Sequence, residues 1–354
     1  MRLSDFSFEL PPELIAQAPI EPRDQARLLV CDRLSDTISH RRVADLPDIL
    51  PQKSTLVANN SRVRHSRLWA NGKVELLLLE PVPEGYRCLV GGKVHDGDML
   101  EIFTDATRKT PTQLRAEILR REDNPAMSTY IIRLSGETDL EGAIERIGEA
   151  PLPAYIQGQE SRPEQYQTVF AKELGSAAAP TAGLHFTPEL LERLRAAGMG
   201  WEEVTLHVGL GTFLPLRQDE VEANHLHVEH GYVSPEVAQR LNQTDSPIIT
   251  IGTTSTRTLE SHWRDGKIQS GWQDTDLFIY PGYVFGPENG LLTNFHLPKS
   301  SLLMLVAAFL ANHPTEHRLI HTPEEAVALL QRLYAEAIKE RYRFFSFGDA
   351  MLIL

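Results

Sequence analysis

The chain has 354 residues, 42% of them hydrophobic and 23% charged, a composition that allows a packed core and excludes a disordered polymer. That length exceeds the size at which one hydrophobic core usually stops growing, so two domains are expected. A net charge of -13 excludes indiscriminate adhesion to nucleic acid, because the overall field repels phosphate; any RNA contact has to be local.

The first residues, MRLSDFSFELPPEL, carry acids and prolines where a secretory signal needs a basic segment followed by an apolar run. A cytoplasmic setting is the expectation. Cys31 and Cys88 lack the spacing of a zinc site or a disulfide framework and read as inert buried thiols. From Lys53 to Lys73 the chain carries Lys53, Arg62, Arg64, Arg67 and Lys73 with no acidic residue, which makes this window the candidate RNA footprint. An ordinary solvated face with counter-charges from elsewhere is the competing reading.

Between residues 66 and 150 the texture changes to short β-like runs: Val74 to Leu79, Tyr86 to Val90, Met99 to Phe103 and Tyr130 to Leu134. Leu114, Ala116 and Ile118 alternate with polar residues, the period of a half-buried strand. Strands at this spacing predict a small antiparallel β-barrel. After Pro151 the pattern becomes strand, loop and helix, with helix starts at Thr187-Pro188, Ser234-Pro235 and Thr322-Pro323, where a hydroxyl caps free amides and proline takes the first helical position. Thr322 and Glu325 form a capping box. The expected organisation is an α/β core domain made of 1–65 and 151–354, with a β-barrel domain inserted at 66–150. The run from Leu302 to Ala311 reads as a buried helix, well short of a membrane span.

Four segments place glycine, hydroxyl, imidazole and amide groups at the ends of predicted strands. In Ala179–Phe186, Thr181, Gly183 and His185 precede a helix start, whose free amides and positive dipole end suit an anionic group; His185 titrates near neutrality unless it is packed. In Thr205–Phe213, His207 leads into Gly209 and Gly211, a Gly-x-Gly loop that lets a ligand approach the backbone, although Leu214 breaks the six-residue dinucleotide fingerprint. Gly252–Arg257 brings Thr253, Thr254 and Arg257 to a helix N-terminus; plain capping by one threonine, with Arg257 in a surface ion pair, is the alternative. In Leu292–Ser301, Asn294 and His296 share one face of an extended chain and Lys299 sits where it turns. A further cluster, His225 and His227, has two imidazoles on a predicted strand, but no downstream ligand pattern completes a metal site, so no metal is expected.

Taken together, the segments LSDFSFELPPELIAQAPIEPRDQARLLV, QYQTVFA, APTAGLHFT, HVGLGTF, GTTSTRTLES, LTNFHLPKSSLLMLV and YRFFSFGDAMLIL resemble the S-adenosylmethionine:tRNA ribosyltransferase-isomerases, the QueA family of queuosine biosynthesis. The likeness runs nearly end to end. Departures are Asn60-Ser61-Arg62 for Asn-Thr-Arg, His65-Ser66 for an apolar and small pair, Pro153-Ala154 for two prolines, and Leu226 for methionine. The resemblance implies an α/β-barrel-like core interrupted by a small β-barrel. It also implies that S-adenosylmethionine donates its ribosyl group to 7-aminomethyl-7-deazaguanine at the tRNA wobble position, giving epoxyqueuosine-tRNA, adenine and methionine.

Such a reaction needs a base for the ribose C5′ proton that the sulfonium acidifies, a proton for departing adenine and a neutral attacking amine. His185, His207 and His296 are the candidates for these transfers. Thr181, Gly183, Gly209, Gly211, Thr253, Thr254, Arg257, Asn294 and Lys299 are the candidates for holding S-adenosylmethionine, a substrate rather than a resident cofactor. Neither a membrane nor a protein partner is implied. Three other readings stay open: an RNA methyltransferase, although no glycine-rich loop follows the first strand; a metal-dependent hydrolase built on His225 and His227; and a non-catalytic RNA-binding module.

Overall fold

The computed structural model describes residues 1–122, 128–153, 155–156, 163–209, 216, 218–312 and 322–354. The chain divides into two units, 1–62 with 154–354, and 63–153. The segment 63–65 belongs to the second because its residues bond there: Arg64 pairs with Glu141, the His65 amide donates to Glu145 Oε1 at 3.2 Å, and the His65 ring meets the Glu145 carbonyl at 2.9 Å.

Strands β1 (Arg27–Asp32), β2 (Thr37–Arg42) and β3 (Thr55–Asn59) open the first unit. The second unit consists of β4 (Arg67–Ala70), β5 (Glu75–Val82), β6 (Gly85–Gly91), β7 (Met99–Phe103), β8 (Pro111–Glu122) and β9 (Thr129–Ser135), followed by α1 (Leu140–Ile147). These strands close into an antiparallel barrel in the order β9-β6-β5-β4-β7-β8. Alternation explains the filling: Leu76 and Leu78 of β5, Leu114, Ala116 and Ile118 of β8, and Ile132 and Leu134 of β9 point inward and are buried. Cys88 lies among them, and burial pushes its thiol up to about 12.

The first unit resumes with α2 (Pro188–Ala196), β10 (Gly200–His207), β11 (Glu229–Val233), α3 (Pro235–Gln243), β12 (Ile248–Ile251) and α4 (Gly252–His262). It ends with β13 (Gly271–Thr275), β14 (Gly290–Asn294), α5 (Ser301–Ala311), α6 (Pro323–Lys339) and β15 (Ala350–Ile353). Nine of these strands form one mixed sheet, β13-β11-β10-β3-β12-β14-β15-β1-β2. Its centre, β10-β3-β12-β14, is parallel, and antiparallel pairs flank it. The order is linear, with β2 and β13 at the edges, where a barrel-like core would join them.

Each capped helix start carries the expected bond: Thr187 accepts from the Leu190 amide, Ser234 from Val237, and Thr322 from Glu325, whose carboxylate accepts in return from Thr322. Period two sorts the central strands between two cores. Leu28, Val30, Leu56, Ala58, Ile249 and Ile251 pack against Leu190 and Leu194 of α2 on one face. Leu29, Cys31, Leu291, Met351 and Ile353 face α5 and α6 on the other, and each large aliphatic side chain buried this way contributes about 1.5–3 kcal/mol. Among the described residues no helix is long and apolar enough to cross a membrane.

Helix α5 is buried along its length, so its terminal carbonyls need partners inside the protein. Arg33 supplies them. Its guanidinium, buried and without an acidic partner among the described residues, donates to the carbonyls of Phe309, Asn312, Asn289 and Leu354 and stacks over the Phe309 ring at 4.8 Å. Burial lowers its pKa to about 10, which leaves it charged at neutrality, where the carbonyl end of α5 favours a cation. Arg33→Met keeps the stem and removes every donor. It is expected to lower stability by roughly 2–4 kcal/mol, the scale of leaving buried carbonyls unpaired, as read from the denaturant midpoint. An unchanged midpoint would show that these bonds contribute nothing net.

Candidate active site

Strands β10, β12 and β14 run parallel within the sheet, and their carboxyl ends open on one cavity of about 440 Å³, within the size range of small-molecule sites. Val208 follows β10, Gly252 follows β12, and Asn294 with Phe295 and His296 ends β14; all line it. Thr181, Tyr155 and the pair Phe345 and Ser346 complete much of the wall.

The turn from β12 into α4 needs glycine, because Gly252 has φ 85. Ile251 caps the helix without a side-chain bond, so capping by a threonine does not account for the hydroxyl run. Ser255 and Thr258 return their hydroxyls to the carbonyls of Ile251 and Thr254, and Thr256 ties α4 to β12 through Thr250 at 2.7 Å. Thr253 and Thr254 instead face the cavity, and Thr254 Oγ1 is buried without a partner among the described residues. Arg257, on the next turn, is not in a surface ion pair. It is 3% exposed and paired with Glu229, itself 1% exposed. Arg257 Nε donates to the Leu277 carbonyl at 3.2 Å, and Nη2 is buried without a partner among the described residues.

Asn294 is a junction. Its Oδ1 accepts from Thr181 Oγ1 at 2.9 Å, while Nδ2 donates to the Phe345 carbonyl at 3.3 Å and to His185 Nε2 at 3.2 Å. Phe345 sits at φ 71, a left-handed conformation costly for a bulky residue and one that concentrates at functional sites. Tyr155 packs against it with ring centroids 4.8 Å apart and planes tilted by 41°, and its hydroxyl bonds Ser346 Oγ at 2.5 Å.

The histidines separate. His296 lines the cavity, its Nε2 2.8 Å from Thr293 Oγ1 and its amide bonded to the Tyr334 hydroxyl at 2.9 Å. Burial lowers its pKa to about 3, so the ring is neutral at pH 7. His185 is absent from the cavity wall and instead borders a separate void of about 10 Å³, room for at most one water. Its pKa also falls to about 3, through burial first and then the charges of Arg343 and Arg23. His207 stacks on Trp272 at 5.7 Å and 27°, outside the cavity wall, with Nδ1 buried and unpartnered and its pKa lowered by burial and then by His230.

Among the other expected site residues, Thr181, Thr253, Thr254, Arg257, Asn294 and Lys299 line the cavity, and Gly183 and Gly209 do not. Gly183 packs under Phe170, where a Cβ would come within 2.7 Å of the ring, and the Gly209 amide donates to Glu229 Oε1 at 3.0 Å. Gly211 lies outside the described residues. Sequence reasoning did not single out Glu229, Tyr155, Phe345 or Ser346, although Phe345 and Ser346 lie in the segment YRFFSFGDAMLIL. No spacing rule links Glu229 to Arg257 across two secondary-structure elements.

The basic window is not uniform in space. Lys53 and Arg62 are exposed in the first unit, and Lys73 is exposed in the second. Arg64 is paired with Glu141, and Arg67 with Glu75 at 2.8 Å. His225 and His227 are exposed in the irregular segment before β11, not on a strand, and among the described residues no group of three or more His, Cys, Asp or Glu is placed to hold a metal.

Comparison with known proteins adds the chemistry. Residues 3–353 match a family model described as queuosine biosynthesis protein. A curated relative from Symbiobacterium thermophilum, named S-adenosylmethionine:tRNA ribosyltransferase-isomerase, is 45% identical with both chains fully covered. One of the same name from Thermotoga maritima is 44% identical, again with full coverage of both. The crystal structure of S-adenosylmethionine tRNA ribosyltransferase from Thermotoga maritima matches with a TM-score of 0.53 and 35% identity, covering 99% of this chain and 100% of that one. Similarity of this extent, over essentially every residue, shows that the chain belongs to the queuosine biosynthesis protein family.

Proposed function

We propose that the protein is an enzyme that transfers and isomerises the ribosyl group of S-adenosylmethionine onto 7-aminomethyl-7-deazaguanine at the tRNA wobble position, releasing adenine and methionine. The observation that carries this reading is the cavity at the carboxyl ends of β10, β12 and β14, where the α4 N-terminus, the unpartnered Arg257 Nη2 and neutral His296 meet in a member of this family. Thr181, Thr253, Thr254, Arg257, Asn294 and Lys299 hold the donor in this reading, with Gly183 and Gly209 shaping the backbone behind the wall. The α/β core built on the open nine-stranded sheet acts as the catalytic domain, and 63–153 as the inserted barrel domain. A cytoplasmic setting and chemistry without a metal accompany it, since a sulfonium is an activated leaving group.

His296 is the histidine best placed for proton transfer, because a neutral imidazole on the cavity wall is able to accept the C5′ proton. Thr293 fixes the ring through Nε2, and the Tyr334 hydroxyl fixes the backbone. His185 acts behind it, holding the Asn294 amide that in turn positions Thr181. His207 has no such contact with the cavity wall.

The direct test is incubation with S-adenosylmethionine and tRNA bearing the aminomethyl base, followed by chromatography of released adenine and of the digested nucleosides. Epoxyqueuosine with equimolar adenine is expected; methylated nucleoside without adenine would establish a methyltransferase instead. His296→Gln is expected to slow single-turnover adenine release by about 10²-fold, the usual scale of lost acid-base help, with little effect on tRNA affinity. Near-normal release would remove His296 from the chemistry.

The buried histidines also set a pH dependence. His185 and His296 titrate at about 3 when folded and near 6.5 when unfolded, so between those values the unfolded chain binds more protons. Their contribution to stability is complete above about pH 6.5 and is lost as pH falls toward 3. His296→Asn should reduce the loss between pH 7.5 and 5 by about 2 kcal/mol in equilibrium unfolding; an equal loss in both proteins would contradict the assignment.

For tRNA, Lys53, Arg62, Arg64, Arg67 and Lys73 are the proposed footprint. Since Glu141 and Glu75 already neutralise Arg64 and Arg67, Arg62→Ala is expected to flatten the salt dependence of tRNA binding by about one unit of slope, and Arg64→Ala by less. Equal slopes for Arg62→Ala and the unaltered protein would move the RNA surface elsewhere.

A further inference from the structure

Arg257 and Lys299 are cations on the cavity wall, and no Asp or Glu lines it among the described residues. The proposed donor, however, is cationic: it carries a sulfonium and an ammonium against one carboxylate. An uncompensated guanidinium would repel it. Glu229 resolves this, since it lies on Arg257 Nη1 behind the wall and cancels the charge while the guanidinium keeps its donors. With Nε on the Leu277 carbonyl and Nη1 on Glu229, the open donor is Nη2, buried and without a partner among the described residues, on a side chain that lines the same cavity as Thr253 and Thr254.

Resting on the ribosyl-donor reading above, we infer that Arg257 Nη2, with Thr254 Oγ1 and the free amides of α4, forms a subsite for the amino-acid carboxylate of the donor, and that Glu229 is its positioning and charge-cancelling residue. Two features support a carboxylate over a neutral group. The Arg257 Nη2 group, still carrying its share of the cation's charge, and the first amides of the helix both donate to one site. The Thr254 hydroxyl adds a further donor there. The pair Arg257–Glu229 is neutral as a whole, so the subsite selects by directed hydrogen bonds and leaves the sulfonium unrepelled. Glu229 has a second function in the same place: Oε1 accepts from the Gly209 amide at 3.0 Å, which joins the end of β10 to the guanidinium.

The test is equilibrium binding to the full chain with saturating tRNA whose wobble base lacks the aminomethyl group, so that no turnover occurs. The probes are S-adenosylmethionine, S-adenosylhomocysteine, which keeps the carboxylate but not the sulfonium, and decarboxylated S-adenosylhomocysteine, which keeps neither. Arg257→Lys retains the charge opposite Glu229 and loses the Nη2 donor; the preference for S-adenosylhomocysteine over its decarboxylated form should fall about tenfold or more. Glu229→Gln leaves the cation uncompensated, and should weaken S-adenosylmethionine about tenfold more than S-adenosylhomocysteine. Glu229→Asp, which keeps the charge, should preserve that ratio and serves where Glu229→Gln does not fold; a ratio shifted as in a charge loss would overturn the role of Glu229. Equal weakening of both S-adenosylhomocysteine forms by Arg257→Lys would overturn the subsite and leave the ribosyl-donor reading standing. Failure of the unaltered protein to bind any of the three would instead overturn that reading, and this inference with it.

Discussion

A guanidinium buried to 3% exposure must have partners from several directions, and those of Arg257 organise the cavity. Through Nη1 it holds Glu229 at the start of β11; through Nε it holds the Leu277 carbonyl just beyond β13; Glu229 in turn holds the Gly209 amide beyond the end of β10. Three chain segments distant in sequence therefore meet at the second turn of α4. Removing either member of the pair leaves a buried charge alone, which costs about 3–5 kcal/mol. The register that sets Leu206 against Gly231 and His207 against His230 is what brings Glu229 to this point.

A second layer lies behind the wall. Asn294 has both amide ends occupied, by Thr181 on one side and by His185 and the Phe345 carbonyl on the other. A residue so held contributes a fixed surface rather than a mobile donor. His185 is kept neutral by burial and by the charges of Arg343 and Arg23, which leaves Nε2 able to accept the Asn294 amide proton. The left-handed backbone of Phe345 persists because the Asn294 side chain and the Phe295 and Gly348 backbones all bond to that residue. Helix α5, which follows the cavity segment, is anchored at its carboxyl end by Arg33, a residue that is not on the cavity wall.

Much of this organisation was legible before any coordinates. The hydroxyl-proline helix starts at 187, 234 and 322, the alternating strand at Leu114 to Ile118 and the apolar helix at Leu302 are local patterns, and local hydrogen bonding and period-two burial realise each of them. Four segments were picked out as chemical because each put polar groups at a strand end. Three of them contribute side chains to one cavity: Thr181, then Thr253, Thr254 and Arg257, then Asn294, His296 and Lys299. The segment around Thr205 contributes Val208, while His207 turns away to stack on Trp272. The basic window shows the opposite case. An acid-free stretch of sequence looks uniformly positive, yet Glu75 and Glu141 reach Arg67 and Arg64 from outside it.

The sequence by itself determined the element types, the family and the residue kinds from which a site is built, because these depend on neighbours within a turn or a strand of each other and on long ordered motifs. Tertiary structure alone decided which of three similar histidines faces the cavity, that Arg257 is buried against Glu229, and that Phe345 takes a left-handed turn beside Tyr155. Those outcomes depend on burial and on pairing across the sheet, where 28 residues separate Glu229 from Arg257 and 109 separate His185 from Asn294. A one-residue change of register would send each side chain to the opposite face, and no local pattern in the sequence encodes that register.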